Sequence, residues 1–208
     1  MTFEESLDEV LAELGISPGA AQLAGLCEHF ELLQKWNRRT NLTAVTDPRE
    51  AARRHFGEAA FLHRELPAMA SAVDVGSGGG FPGMPFAVLR PETAVTLVDS
   101  KRKKASFLRM AARAHANVRV CACRIEDWGG QADWALIRAV APATVLPALA
   151  GRAGAVAVLG TDRPPEGPFG PWLGRRMPWS DKRRLWTAKS QPQDRAGAGR
   201  SPSVRCFT

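Results

Sequence analysis

The spacing of apolar residues predicts two amphipathic helices at the start of the chain. Thr2 and Glu5 form a capping-box pattern before apolar side chains that recur at helical spacing up to residue 14. Ser17 can cap a second helix with Pro18 in its first turn, and the apolar positions of that helix continue to Trp36. We therefore expect two helices that pack against each other.

A loop and a further helix complete the first seventy residues. Residues 37–46 read N-R-R-T-N-L-T-A-V-T, which is typical of a loop. Asp47, Pro48 and Glu50 then signal the start of another helix. Residues 1–70 are thus predicted to form a helical extension that packs on the rest of the molecule.

From residue 71 the pattern changes to short apolar strands that alternate with helices. Strands are predicted at residues 72–75, 94–98, 118–121, 134–137 and 155–159, and helices after Pro82 and over residues 101–116. Near-continuous apolar strands are buried on both faces, which favours an α/β fold with a mostly parallel sheet and helices on both sides. We expect this domain to cover residues 71–189. Residues 190–208 have little apolar content and are predicted to be a mobile tail.

The most informative segment joins the first predicted strand to its helix. Residues 73–83 read V-D-V-G-S-G-G-G-F-P-G, and Asp99 ends the next strand about twenty residues after the glycines. Glycines let the backbone turn sharply and approach a ligand closely, and an acid at this distance can meet ribose hydroxyls. The segment predicts a nucleotide-like cofactor at the carboxyl ends of the strands. The alternative is a βαβ unit whose glycines only make a tight turn.

Charge and histidine spacing narrow the possible partners. The chain carries 28 Lys and Arg against 21 Asp and Glu, a net charge of +7, which favours nucleic acid first and an acidic membrane second. No apolar run approaches the ~20 residues that span a bilayer, and no signal peptide is recognisable, so we expect a cytoplasmic protein without a membrane partner. His29, His55, His63 and His115 lack zinc-type spacing, so no metal is predicted.

The glycine spacing favours S-adenosylmethionine over a dinucleotide. A helical segment precedes the loop, and the G-S-G-G-G run at residues 76–80 suits a ligand without a pyrophosphate. Asp99 would then bind the ribose hydroxyls, Ile125 and Glu126 would border the adenine, and backbone amides of the loop would face the amino acid part. Asp74 would either contact the ammonium group of the cofactor or brace the loop.

A series of motifs in one order, covering roughly residues 34–160, gives a more specific indication. They are K-W-N-R-R-T-N-L-T-A-V-T-D-P from Lys35, His55 with an acid three residues later, D-V-G-S-G-G-G-F-P-G-M-P from Asp74, T-L-V-D-S from Thr96, F-L-R from Phe107, C-R-I-E-D from Cys123 and I-R-A-V-A-P from Ile137. The series resembles the RsmG family, also called GidB, of bacterial 16S ribosomal RNA guanine-N7 methyltransferases. The resemblance implies a Rossmann-like class I S-adenosylmethionine-dependent methyltransferase.

The resemblance also implies a substrate and a set of cofactor contacts. The expected enzyme is a monomer that methylates N7 of the guanine at position 527, in the 530 loop of 16S rRNA, in free RNA or in the small ribosomal subunit. The contacts implied for the cofactor add Phe81 and Arg138 to the residues discussed above. The complete predicted set is Asp74, Gly76, Gly78, Gly80, Phe81, Asp99, Ile125, Glu126 and Arg138.

Methylation at guanine N7 needs no general base. The nitrogen has an in-plane lone pair and no proton, so in-line attack on the sulfonium methyl leaves no proton to remove, and proximity supplies much of the catalysis. Arg138 follows a predicted strand end beside the cofactor and is the candidate for positioning, through a carboxylate or phosphate. The alternative for Arg138 is a structural ion pair.

The N7 atom of a guanine in an A-form helix is inaccessible to protein side chains, so the target guanine must be unpaired. Three basic segments are candidates for contact with the RNA around it. The residues are Asn37, Arg38, Arg39 and Asn41 in the first loop, Lys101, Arg102, Lys103 and Lys104 at a helix start, and a C-terminal segment with Arg175, Arg176, Lys182, Arg183 and Arg184 among Trp172, Trp179 and Trp186. Asn41 could instead cap a turn, the lysines could form a solvated face, and the tryptophans could pack in the core.

The chain departs from the family pattern at two places. Glu58 stands where the family usually has Asp, and beyond Leu159 the match is poor, with Thr161 and Asp162 where a lysine often follows the fifth strand. Two other functions remain open on the sequence alone. One is S-adenosylmethionine-dependent methylation of another acceptor, and the other is RNA binding without catalysis on the same fold.

Overall fold

The computed structural model describes residues 1–190, so all of the predicted tail except Ser190 lies outside the described residues. The first part of the chain is helical, as predicted. It contains α1 (Phe3–Glu13), α2 (Ala20–Asn37), α3 (Pro48–Ala51), a π-helix (Ala52–Gly57) and α4 (Glu58–Glu65). No helix in the described part of the chain is long and apolar enough to cross a membrane.

Two of the three predicted helix starts are confirmed. Thr2 accepts a hydrogen bond from the Glu5 amide and closes a capping box, and Asp47 accepts one from the Glu50 amide at 2.8 Å. The predicted start of α2 at Ser17 is wrong. The N-cap is Gly19, whose amide donates to the Gln22 side chain at 2.8 Å, and this single bond places the first turn beyond Pro18.

The second part of the chain forms a seven-stranded sheet in the order β3-β2-β1-β4-β5-β7-β6. The strands are β1 (Ser71–Val75), β2 (Ala94–Val98), β3 (Val118–Cys121), β4 (Ala132–Arg138), β5 (Ala153–Gly160), β6 (Leu173–Arg176) and β7 (Arg184–Lys189). The first five strands are parallel, which confirms the predicted sheet. The order reverses between β1 and β4, and such a switch point opens a crevice at the carboxyl ends of the strands.

Helices cover both faces of the sheet. Along β1, Ala72 belongs to a core shared with α1, α2 and α4 as well as with α5 (Gly83–Leu89) and α6 (Arg102–Ala111). Val73 and Val75 face a second core that is shared with α7 (Pro142–Leu149). Burial of both faces explains why the strands read as continuous apolar runs rather than as alternating ones.

The C-terminal part of the sheet was not predicted from the sequence. β7 pairs antiparallel with β5, and β6 pairs antiparallel with β7 at the sheet edge. All four residues of β6 are exposed, so the strand has no apolar signature of its own. Trp179 packs beside Phe61 with ring centroids 6.4 Å apart, and Trp172 and Trp186 pack on the second core, so core packing of these tryptophans is confirmed.

Candidate active site

The glycine loop between β1 and α5 needs glycine at three positions. Gly76, Gly78 and Gly80 have φ values of +72°, +56° and +88°, a region that side chains with a Cβ rarely adopt. A Cβ on Gly80 would also lie 2.9 Å from Nε2 of His29. The Ser77 carbonyl accepts bonds from the Gly80 and Phe81 amides, which closes the turn. The loop conformation therefore follows from the glycine pattern.

Asp74 lies beneath the loop and is completely buried. Its Oδ2 accepts a hydrogen bond from the Gly83 amide at 3.1 Å, whereas Oδ1 has no partner among the described residues. Burial raises the pKa of Asp74 to about 7. Of the two roles predicted for this residue, the hydrogen bond to Gly83 favours bracing of the loop.

We expect Asp74→Asn to gain stability over the wild type as pH rises. The asparagine amide oxygen can accept the Gly83 bond without ionising. The pKa of Asp74 is raised from 3.8 to about 7 in the folded protein. At a pH between these two values, the folded protein therefore keeps a proton on Asp74 that the unfolded chain has lost. Wild-type stability thus falls as pH rises through this window.

The difference in free energy of unfolding between Asp74→Asn and the wild type should grow by at least about 1 kcal/mol from pH 5 to pH 8. Urea denaturation at both pH values measures it. His29 and His55 titrate equally in the two proteins and cancel in the comparison. A difference that stays constant with pH would show that Asp74 is already ionised in the folded protein at pH 5.

A cavity of about 350 Å³ opens at the carboxyl ends of β1, β2 and β4. Its lining residues are Val75, Gly76, Val98, Asp99, Ser100, Lys101, Lys104, Cys123, Arg124, Ile125, Glu126, Ala139, Val140 and Val145. Four predicted cofactor residues thus meet there, namely Gly76, Asp99, Ile125 and Glu126. The other five, Asp74, Gly78, Gly80, Phe81 and Arg138, do not line the cavity.

Two backbone hydrogen bonds hold the Asp99 carboxylate at the cavity wall. Its Oδ2 accepts from the Gly78 amide at 2.9 Å and its Oδ1 accepts from the Lys101 amide at 2.8 Å. Each oxygen retains a further lone pair, so the carboxylate can still accept bonds from a ligand. Gly78 therefore acts on the site by orienting Asp99.

Phe81 lies behind the cavity in a cluster of rings. Its ring stacks on His55 at 4.5 Å and on His29 at 4.9 Å between centroids, and only 5% of the residue is exposed. His29 in turn bonds the Gly79 carbonyl through Nε2 at 2.9 Å. The cluster packs the helical extension against the glycine loop, so Phe81 shapes the loop from behind.

Arg138 ends β4 and forms the structural ion pair that was the alternative role for this residue. Its Nε donates to Oε2 of Glu58 at 2.6 Å, and its Nη2 donates to the Arg54 carbonyl at 3.0 Å and lies 2.9 Å from Nδ1 of His55. Its Nη1 has no hydrogen-bond partner within residues 1–190. Only this nitrogen is available for a ligand.

Glu58 is the centre of this network, although the sequence indicated only that an acid follows His55. It is 2% exposed, and it also accepts bonds from Nε and Nη2 of Arg183 at 3.0 Å each. One buried carboxylate thus joins α4, the end of β4 and the residue before β7. Arg183 was predicted only as part of a basic segment, because nothing local shows that a residue 125 positions away supplies its partner.

His55 links the first loop to the same network. It lies in the π-helix, a conformation that often marks functional sites, and its Nε2 is 2.7 Å from Oγ1 of Thr43. Burial, followed by the nearby Arg138 charge, lowers the pKa of His55 to about 3. The imidazole is therefore neutral at physiological pH and accommodates the arginine beside it.

Ala139 is a feature that the sequence did not indicate. It follows Arg138, lines the cavity and has a φ of +56°, which is unusual for a residue with a Cβ. Strained backbone of this kind clusters at functional sites. The strained residue directly follows the end of β4 at the cavity wall.

The predicted RNA-binding residues of the first loop fall into two groups. Asn37 is the last residue of α2 rather than a loop residue. Its side chain accepts from the Leu42 and Thr43 amides and donates to the Thr43 carbonyl, so it braces the loop internally. The other three, Arg38, Arg39 and Asn41, are exposed.

The second predicted RNA-binding group lies at the cavity. Lys101, Arg102 and Lys103 are exposed, Lys104 is half-buried, and both Lys101 and Lys104 line the cavity. Positive charge at the start of α6 opposes the helix dipole. None of the four makes an ion pair within the described chain, so their charges are available to a ligand.

The sheet order and the cavity at the strand ends define a class I S-adenosylmethionine-dependent methyltransferase fold. The crystal structure of magnesium protoporphyrin IX methyltransferase from Synechocystis PCC 6803 with bound S-adenosylmethionine matches it with a TM-score of 0.55. The match covers 78% of this chain and 97% of that chain at 12% identity, and it shows the fold alone.

The sequence places the chain in one family of this class. The GidB family model, rRNA small subunit methyltransferase G, matches residues 22–154. Ribosomal RNA small subunit methyltransferase G of Solibacter usitatus is 40% identical over 148 residues, which cover 69% of this chain and 70% of that protein. The protein of the same name from Desulforamulus reducens is 37% identical over 129 residues, 57% of this chain and 54% of that protein. The chain belongs to the rRNA small subunit methyltransferase G family, which confirms the resemblance seen in its motifs.

Proposed function

We propose that this protein transfers a methyl group from S-adenosylmethionine to N7 of an unpaired guanine in the 530 loop of 16S rRNA. The observation that carries the proposal is the cavity beside the glycine loop, with the Asp99 carboxylate fixed at its wall, in a chain of this family. S-adenosylmethionine is the cofactor bound in the matching fold described above.

The residues of the cavity suit this cofactor. Asp99 would accept bonds from the ribose hydroxyls, and Ile125 and Glu126 would border the adenine with one apolar and one polar side chain. The exposed backbone of Gly76 would allow close approach of the amino acid part. Arg138 would reach a carboxylate or phosphate through its Nη1.

The proposed reaction needs positioning and no proton transfer. Attack by N7 forms a nitrogen–carbon bond as the carbon–sulfur bond breaks, the sulfur keeps the electron pair, and the positive charge moves to the purine. The carboxylates that line the cavity, Asp99 and Glu126, would contact the cofactor, and the reaction asks no proton transfer of them. Catalysis would come from holding N7 and the methyl carbon close and in line.

The substrate would approach over the start of α6. Lys101 and Lys104 line the cavity, and Arg102 and Lys103 continue the positive charge outward. Phosphates of a single-stranded loop would be held there while the target base enters the cavity. Free 16S rRNA and the small ribosomal subunit both present such a loop under this proposal.

The test is incubation with labelled S-adenosylmethionine and either unmethylated small subunits or their free RNA, followed by nucleoside analysis. We expect labelled 7-methylguanosine at one site in the 530 loop. Cofactor binding without a labelled nucleoside from either substrate would point to another methyl acceptor. Loss of cofactor binding as well, with RNA binding retained, would favour an RNA-binding protein without catalysis.

A further inference from the structure

A second cavity lies at the carboxyl end of α2, outside the cofactor site. It has a volume of about 410 Å³, and its lining residues are Lys35, Trp36, Arg38, Arg39 and Thr40. The cavity thus combines three cationic side chains with one indole ring. We call these five residues the Trp36 cleft.

The positive charges of the Trp36 cleft have no carboxylate partner in the part of the chain that the structure describes. Seven other arginines make ion pairs with carboxylates, namely Arg53, Arg54, Arg64, Arg138, Arg175, Arg176 and Arg183. Lys35, Arg38 and Arg39 make no ion pair within residues 1–190. All three lie within one stretch of five residues. Three adjacent cations without a counter-charge attract an anionic ligand.

The indole ring is held in place from one side. Trp36 is half-buried, and its ring meets the ring of Phe107 edge-on with centroids 5.8 Å apart. Phe107 is fully buried in α6, so it provides a fixed support. A supported aromatic ring in a basic cleft is the usual platform for stacking of an unpaired base.

The same contact connects the Trp36 cleft to α6, the helix whose first turn lines the cofactor cavity. Lys103 precedes Phe107 by one helical turn on α6, and Lys104 lines the cofactor cavity close to Gly78. The helix α2 also contacts the glycine loop, because its residue His29 forms a hydrogen bond with the Gly79 carbonyl. Two basic clusters more than sixty residues apart in sequence are thus joined across α2 and α6.

We propose that the Trp36 cleft binds one unpaired nucleotide of the RNA substrate that neighbours the methylated guanine. Arg38 and Arg39 hold its phosphate, and its base packs against Trp36. This inference depends on the proposed function, since it concerns the same RNA. It assigns to α2 a binding site that is separate from the cofactor cavity.

The phosphate contact is tested with the double variant Arg38→Gln/Arg39→Gln. The control is Arg119→Gln/Arg163→Gln, which removes the same charge from two exposed arginines outside both cavities. RNA affinity is measured against salt concentration with an unmethylated 530-loop RNA. The association constant for RNA falls as salt rises, and we expect this dependence to be less steep by about 1.4 log units per log unit of salt in the cleft variant, because two single-strand phosphate contacts are lost. The control should have the same salt dependence as the wild type.

The stacking contact is tested with Trp36→Phe and Trp36→Leu. Phenylalanine keeps a π face and leucine does not, while both fill apolar space against Phe107. We expect Trp36→Leu to raise the KM for RNA about 10- to 100-fold. Trp36→Phe should leave the KM for RNA close to that of the wild type. The calorimetric affinity for S-adenosylmethionine, which should not change, shows that the variants are folded.

The outcomes separate this inference from the proposed function. Normal RNA affinity and salt slope in Arg38→Gln/Arg39→Gln, with methylation intact, would overturn the cleft assignment and leave the proposed function standing. Equal loss in the Phe and Leu variants would overturn the stacking contact. Absence of methylation by the wild-type protein would contradict the proposed function itself.

Discussion

Glu58→Gln is expected to lower the free energy of unfolding by about 3 kcal/mol. The substitution keeps the size of the side chain but removes the carboxylate that pairs with both Arg138 and Arg183. Arg138 has a side chain only 12% exposed, so water is a poor replacement for the lost partner. Urea denaturation at neutral pH measures the change.

The matched control is Glu50→Gln, which breaks the exposed ion pair between Glu50 and Arg54. That pair is separated by 2.7 Å, yet its side chains are 47% and 57% exposed, so we expect a loss below about 0.5 kcal/mol. Glu58→Asp retains the charge and should recover part of the stability. If Glu58→Gln costs no more than Glu50→Gln, the network around Glu58 does not stabilise the fold.

The second large effect is expected for cofactor binding. Asp99→Asn should raise the dissociation constant for S-adenosylmethionine about 10- to 100-fold, because a neutral amide is a weaker acceptor for ribose hydroxyls than a carboxylate. Isothermal titration calorimetry measures this constant directly. The same experiment with S-adenosylhomocysteine should give a similar ratio, because the two ligands share the ribose.

The control for this variant is Asp127→Asn, which changes an exposed carboxylate at the end of the C-R-I-E-D motif that does not line the cavity. We expect its cofactor affinity to equal that of the wild type. Because Asp99 also holds the amides of Gly78 and Lys101, the unfolding free energy of the variant is measured in parallel. A folded Asp99→Asn protein with unchanged affinity would exclude the ribose contact.

The Glu58 network and the cofactor cavity are joined at the end of β4. Arg138 contacts Glu58, and the next residue, Ala139, lines the cavity in a strained conformation. Weakening of the network should therefore also change the geometry of the cavity wall. The cofactor affinity of Glu58→Asp reports this coupling, because that variant keeps the charge and shortens the side chain.

Local sequence signals determined the parts of the fold that depend on neighbouring residues. The capping box at Thr2 and the continuous apolar runs of β1 to β5 each lie within a few positions of chain. The glycine loop followed by Asp99 likewise lies within one βαβ unit, and Gly76 and Asp99 accordingly meet in one cavity. Backbone preference and hydrophobic periodicity are local properties, so a single sequence shows them.

Only the tertiary structure decided which distant residues meet. Glu58 pairs with Arg138 and Arg183. Pairing with β7 holds β6 as a strand, although all residues of β6 are exposed. Trp36 packs on Phe107 and so joins two basic clusters. These contacts depend on how helices and strands pack in three dimensions, and no local spacing encodes them. The sequence by itself thus determined the family, the parallel sheet and the cofactor loop. Packing alone decided that Arg138 is held in a buried ion pair, because the burial of Glu58 makes an unpaired carboxylate too costly.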